Sequence, residues 1–183
     1  MPITSVDAKC ALVVIDLQKS ILSRQLTTPI GPIVERTNAL GEAFRRRGFP
    51  VVFVTAGEVR FGRTDVVRPK TSPSPDAADL LPGLKVAASD YRPVKTTIGA
   101  FTSTDLEIYL RDRGVTQAVV TGVATSFGVE STVRHAAELG FNVTVVIDAV
   151  TDVSAENHDR ALAGIFPRMA ETCITAELIE LLG

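Results

Sequence analysis

Three segments of this sequence end short apolar runs in residues able to do chemistry. LVVI ends in Asp16, followed by Leu17-Gln18; YRPV ends in Lys95, followed by TTIGAF. The third, QAVVT, runs into GVATSFGVEST and so into a helix, which gathers several backbone N–H groups at one helix N-terminus. Such an end suits an anion or a developing oxyanion. Each feature also has a plainer explanation, since a carboxylate at a strand tip serves turns, a lysine there is often a surface cation, and glycine turns commonly precede helices. If the three runs are strands of one open parallel sheet, however, they share the carboxyl edge, where ligands bind. A carboxylate, an ammonium and oriented N–H donors would then face one small-molecule substrate.

The elements that must position them can be read from periodicity. Cys10–Asp16, Val51–Ala56, Tyr91–Lys95, Gln117–Thr121 and Asn142–Asp148 read as strands, with Glu171–Thr175 a sixth. Runs such as LVVI and TVVI do not alternate apolar with polar residues, the mark of strands covered on both faces. Between them, Pro32–Arg47 places Ile33, Leu40 and Phe44 near helical spacing and stops at Gly48. Asp105–Arg113 starts behind Thr104, with Glu107 completing a capping box, and stops at Gly114. Phe127–Leu139 stops at Gly140, Ser154–Ile165 starts behind a serine cap, and Ala176–Leu182 follows the last strand. The pattern predicts an α/β fold, a three-layer α-β-α sandwich with a mostly parallel sheet of about six strands, as a single domain over residues 1–183. The stretch from Gly57 to Pro75 breaks the rhythm with glycine, proline, Arg60, Arg63, Arg68 and Lys70, and loops of that length are commonly functional.

Composition excludes several classes. With 19 Lys and Arg against 21 Asp and Glu the net charge is −2, and no basic run offers a nucleic-acid footprint. Arg45-Arg46-Arg47 reads as the solvated last turn of a helix, where cations suit the dipole. The start of the chain lacks a signal-peptide pattern and no apolar run approaches a bilayer span, so no membrane association and a cytoplasmic location are expected. Two histidines and two widely separated cysteines, Cys10 and Cys173, supply neither a disulfide framework nor a metal-ligand motif.

Taken in order, VVIDLQ, VKTTIGAFTSTDLEIYLRDRGV and TGVATSFGVESTVRHAAELGFNVTVVIDAVTD resemble the signature segments of the isochorismatase-like hydrolases, a superfamily that includes nicotinamidases and carbamoylsarcosine amidohydrolases. The resemblance runs from Cys10 to about Phe166 and implies a parallel sheet flanked by helices on both faces. In the family's cysteine hydrolases an Asp ends the first strand, a Lys ends the third, and a Cys opens the helix after the GVAT turn. The first two roles carry over onto Asp16 and Lys95. The third position is Gly128 here, and neither Cys10 nor Cys173 is placed to replace the missing thiol, so amide hydrolysis through a covalent cysteine adduct is not expected.

The isochorismatases proper resemble the same pattern with glycine at that position. They hydrolyse a vinyl ether by protonating the enol carbon and adding water to the resulting oxocarbenium ion. That resemblance implies Asp16 as general acid, Lys95 as its orienting or substrate-binding partner, and Gly128 as the third member of the catalytic set. It also implies a cis peptide between Val123 and Ala124. Candidate substrate-binding residues are Gln18, Ala124, Phe127, Arg60 and Arg63, the arginines suggesting an anionic substrate. Phe61 and Phe127 offer an apolar wall, although a core position is the simpler expectation for Phe127. The D-x-H metal segment of nicotinamidases is absent from TAGEVRFG, so neither a metal nor another cofactor is expected. The family and the exposed helix faces imply a homo-oligomer.

Two other readings stay open. Ser126, in a near nucleophile-elbow context, is followed by Asp148 or Asp152 and by His158 in the order of a hydrolase triad. Alternatively, a chain that keeps the fold without the nucleophile binds a metabolite, or serves as a scaffold, and turns nothing over.

Overall fold

The computed structural model describes residues 3–59, 61–66 and 74–183. Six strands form one parallel sheet: β1 (Cys10–Ile15), β2 (Val51–Ala56), β3 (Val94–Lys95), β4 (Gln117–Val123), β5 (Asn142–Thr151) and β6 (Glu171–Cys173). Their order is β3-β2-β1-β4-β5-β6, with β1 paired to β2 on one side and β4 on the other. The α-helices are α1 (Ile30–Arg46), α2 (Leu106–Asp112), α3 (Glu130–Glu138), α4 (Ala155–Arg160) and α5 (Thr175–Leu182).

The strands are buried on both faces. Ala11, Val13 and Ile15 of β1 pack into a core with Leu106 and Leu110 of α2 and Val133 of α3. Cys10, Leu12 and Val14 pack the other way, against Leu40 and Phe44 of α1 and Leu178 of α5. This double coverage explains why no polar residue interrupts the runs. Gly48, at φ +68°, lets the chain leave α1 through a Schellman turn in which the Phe49 N–H donates to the Phe44 carbonyl at 2.9 Å. The Phe49 ring then meets Phe44 edge-on at 6.1 Å, so the stop signal also adds to the core.

Local structure departs from expectation at several points. The Tyr91–Lys95 run forms regular pairing only at Val94–Lys95; Tyr91 makes a separate bridge to Val52, and Pro93 between them has no N–H to donate. The N-cap of α2 is Asp105, without a side-chain cap bond; the Thr104 hydroxyl before it accepts from the Leu106 N–H and donates to the Ala100 carbonyl, and Glu107 faces Arg111 instead of closing a capping box. The α3 helix is preceded by a π-helical turn, Thr125–Val129. Arg45 is not a solvated cation: it forks onto the buried Asp90 with hydrogen bonds of 3.0 and 2.6 Å. Among the described residues no helix is long and apolar enough to cross a membrane.

Candidate active site

The chain turns from β1 into β2 on one side of the sheet and from β4 into β5 on the other. The crevice between the carboxyl ends of β1 and β4 is therefore a topological switch point. Asp16 follows β1 directly, at φ +52°, with its N–H held by the Val54 carbonyl and its carbonyl accepting from the Gln18 N–H. This left-handed corner directs the carboxylate across the crevice. Lys95 ends β3 on the same edge, and its Nζ lies 2.8 Å from Asp16 Oδ2 and 2.6 Å from the Ile98 carbonyl that accepts from it. The lysine side chain is 2% exposed, and that of Asp16 17%. Asp16 Oδ1 is buried with no hydrogen-bond partner among the described residues. Burial pushes the Asp16 carboxyl up to about 6, against the opposing pull of the Lys95 charge and hydrogen bond.

Gly128 closes the third side. A Cβ built on it would stand 3.2 Å from Asp16 Oδ2, 3.2 Å from Ile15 Cγ2 and 3.3 Å from the Val123 carbonyl oxygen. The turn that carries it is anchored at several points. Asp152 Oδ2 accepts from the Ser126 N–H at 2.7 Å, His158 Nδ1 lies 2.8 Å from Thr125 Oγ1, and the Ala124 carbonyl accepts from the Phe127 and Val129 N–H groups. Thr132 adds a relay: its hydroxyl donates to the Gly128 carbonyl at 2.7 Å and accepts from the Ala100 N–H at 3.1 Å. The loop behind Lys95 is thereby tied to the turn that presents Gly128. The Val123–Ala124 peptide is cis.

The structure brings Asp16, Lys95 and Gly128 together, with Ala124 at the start of the same turn. Phe127 is 45% exposed, so it is not the core residue expected. Its ring lies 6.3 Å from that of Phe61, which places the loop after β2 against the turn. Arg63 is exposed on that loop; Arg60, Arg68 and Lys70 lie outside the described residues. Gln18 is 3% exposed, and its amide is spent on the protein: Oε1 accepts from the Ala56 N–H, while the two Nε2 hydrogens are shared among Ser20 Oγ and the Ala56 and Ala77 carbonyls, each 3.0 Å away. It clamps the end of β2 to the 74–80 segment, a role that sequence reasoning missed because both partners are distant in the chain.

The serine triad is not assembled. Among the described residues His158 meets Thr125, Asp152 holds backbone N–H groups of Ser126, Val153 and Ser154, and Asp148 pairs with Arg36 and Thr175. Neither carboxylate orients the imidazole toward Ser126. Also among the described residues, no three His, Cys, Asp or Glu side chains group as a metal-ligand set.

The fold and the position of the buried pair define a doubly wound α/β protein whose candidate site occupies the switch point. The chain belongs to the isochorismatase family: the Isochorismatase domain matches residues 10–177. It is 38% identical to YecD, an uncharacterized isochorismatase family protein of Escherichia coli O157:H7, over 94% of this chain and 95% of that one. It is 32% identical to a probable inactive nicotinamidase of Arabidopsis thaliana, over 81% and 83% of the two chains. The solved structure of an isochorismatase family protein from Burkholderia thailandensis matches with a TM-score of 0.93 and 37% identity, covering 97% of each chain.

Proposed function

We propose that this protein hydrolyses a small anionic metabolite of the vinyl-ether type without a covalent protein intermediate, with Asp16 as the proton donor. The observation that carries this reading is the Asp16 carboxyl: it is buried and raised to about 6, has one oxygen without a partner among the described residues, and faces a residue with no side chain. A general acid must hold its proton near the working pH, and burial supplies that condition. Asp16 delivers the proton to the enol carbon. Water then adds to the oxocarbenium carbon and returns a proton to the carboxylate, and the hemiketal collapses to a ketone and an alcohol. Lys95 holds the carboxyl in place and keeps its pKa from rising further, while a substrate carboxylate in the crevice favours the protonated acid.

Gly128 leaves room for the substrate above Asp16 Oδ2. The Ala124 backbone, the exposed Phe127 ring and Arg63 supply polar, apolar and cationic contacts, with Arg60 assigned by sequence to the same loop. Gln18 supports this edge from beneath and is reassigned from substrate contact to loop clamp. The test is turnover of an enol-ether substrate such as isochorismate, followed by product analysis. Asp16→Asn abolishes it if the reading holds, and retained turnover in that variant removes Asp16 as the acid.

A second reading, a metabolite-binding member that performs no catalysis, is favoured by the 2.8 Å Asp16–Lys95 pair, which stabilises the ionised carboxylate, and by the similarity to a relative named as inactive. Saturable binding of the same compound with no product formed selects it.

A further inference from the structure

We propose that the cleft at the amino edge of the sheet is a second binding site, for a small oxyanion carrying two or more negative charges, of the diphosphate type. The cleft has a volume of about 780 Å³ and lies where β1 and β2 begin, between the C-terminal ends of α1 and α2. Its size is within the roughly 300–1,000 Å³ of small-molecule sites. Cys10 lies at its floor while Asp16 follows the far end of the same strand, about 20 Å away at the rise of an extended chain. It is therefore separate from the candidate active site.

The charges around it do not balance. Lys9, Arg45, Arg47 and Arg113 line the cleft against a single carboxylate, Asp90. Asp90 is consumed by Arg45, which forks onto it, and by the Ala87 N–H. That leaves Lys9, Arg47 and Arg113, none of which has a carboxylate within ion-pair distance among the described residues. The plain alternative is that cations at helix C-termini simply offset the helix dipoles. Two such ends amount to about −1 elementary charge in total and the charge of Asp7 also reaches Cys10 at the floor, whereas three whole cations line the opening, so a positive excess of about one charge remains.

The two arginines are also held in place before any ligand arrives. Arg113 lies 3.7 Å above the Tyr109 ring, with Nη1 donating to the Tyr109 carbonyl at 3.1 Å. Arg47 donates from Nη1 to the Leu182 carbonyl at 2.8 Å. Each is fixed by one bond and keeps its other guanidinium N–H groups, the arrangement that favours bidentate contacts to oxyanions at low ordering cost.

The test is calorimetric titration of the full chain with inorganic pyrophosphate at low ionic strength, with citrate as a second arm that separates phosphoryl from carboxylate oxyanions. One saturable site is expected, tighter for pyrophosphate and weakening with salt. Lys9→Ala and Arg113→Ala each weaken it about fivefold or more, and Arg24→Ala, an exposed cation on the opposite edge, leaves it unchanged. Lys9 has no side-chain bond among the described residues, so its variant keeps the result readable if loss of Arg113 perturbs folding. Binding persists in Asp16→Asn, which keeps this site's fate independent of the proposed reaction. Absence of saturable heat up to about 10 mM, unchanged affinity in Lys9→Ala and Arg113→Ala, or a preference for citrate overturns the proposal.

Discussion

The α-carbon of Gly128 faces the Asp16 carboxylate so closely that a Cβ added to it would stand 3.2 Å from Oδ2. A methyl group there fits only after a shift of a few tenths of an ångström, and it occupies the space from which a substrate atom would meet the acid. Gly128→Ala should therefore fold with nearly unchanged thermal stability yet lose about a hundredfold in kcat/KM, the scale of a small misplacement at a reacting centre. Wild-type turnover in the alanine variant, measured beside its melting curve, would show that the glycine serves the turn alone.

The two native thiols are poor nucleophiles. Cys10 and Cys173 are 0% and 2% exposed, and burial pushes the Cys173 thiol up to about 12 and that of Cys10 higher still. Iodoacetamide under native conditions should leave both the mass and the activity of the protein unchanged. Gly128→Cys should gain one adduct, located by peptide mass spectrometry at position 128. Rapid alkylation and inactivation of the native chain would contradict the placement of both cysteines.

The raised pKa of Asp16 sets two pH dependences. As a general acid it works only when protonated, so kcat/KM should be level below about pH 6 and fall tenfold per unit above it. For stability, the folded state holds this proton more tightly than the unfolded chain, whose aspartate has the ordinary value of 3.8. Asp16 therefore favours folding most at low pH, and its contribution declines as pH rises from about 4 to about 6. Denaturation curves of the native chain and Asp16→Asn should accordingly diverge across that window. A rate that climbs between pH 6 and 8 would assign the carboxyl to another role.

Close backbone approach places a second glycine beyond substitution. Gly122, at φ +117°, pairs with Ile15 across β1 and β4, and a Cβ there would come within 2.0 Å of the Ile15 carbonyl oxygen. The nearest atoms are all Ile15 backbone in the centre of the sheet, so they cannot yield. Gly122→Ala should cost more than about 3 kcal/mol or prevent folding, read by urea denaturation and soluble yield. A stable alanine variant would mean that β1 and β4 separate more easily than their register implies.

The sheet and the two charged strand ends were legible because apolar runs stop abruptly at Asp16 and Lys95, a pattern that survives without tertiary knowledge. The pairing of those charges was legible only through the family resemblance, since it depends on β3 lying beyond β2 and on a loop carbonyl, that of Ile98, accepting from the lysine. Phe127 was misplaced toward the core because helical spacing assumes an α-helix from its first residue, and the π-helical turn rotates that ring outward beside Phe61. Gln18, Thr132 and Asp152 act through bonds to backbone groups far away in sequence, and a polar residue near a strand tip carries no sign of which distant carbonyl or N–H it will meet. The order of residues therefore located the crevice but not the hydrogen bonds that hold its walls.

Lys95 and Asp16 should be energetically coupled, because each is the other's only charged partner at the floor of the crevice among the described residues. Lys95→Met leaves a buried carboxyl with no cation, and Asp16→Asn leaves an ammonium that is 2% exposed with only the Ile98 carbonyl to accept from it. Lys95→Met should destabilise the fold by about 1–3 kcal/mol near neutral pH, because ionised Asp16 loses its cation, whereas Asp16→Asn replaces the neutral acid that burial favours and should cost less. The double variant removes both charges and should recover much of that loss, giving a coupling energy of about 1–3 kcal/mol in a double-mutant cycle from urea denaturation. The lysine variant carries a kinetic signature as well: without the opposing ammonium the Asp16 carboxyl rises further, so the falling limb of kcat/KM moves to higher pH. Additive stabilities together with an unmoved limb would mean that the two residues act independently despite the 2.8 Å between them.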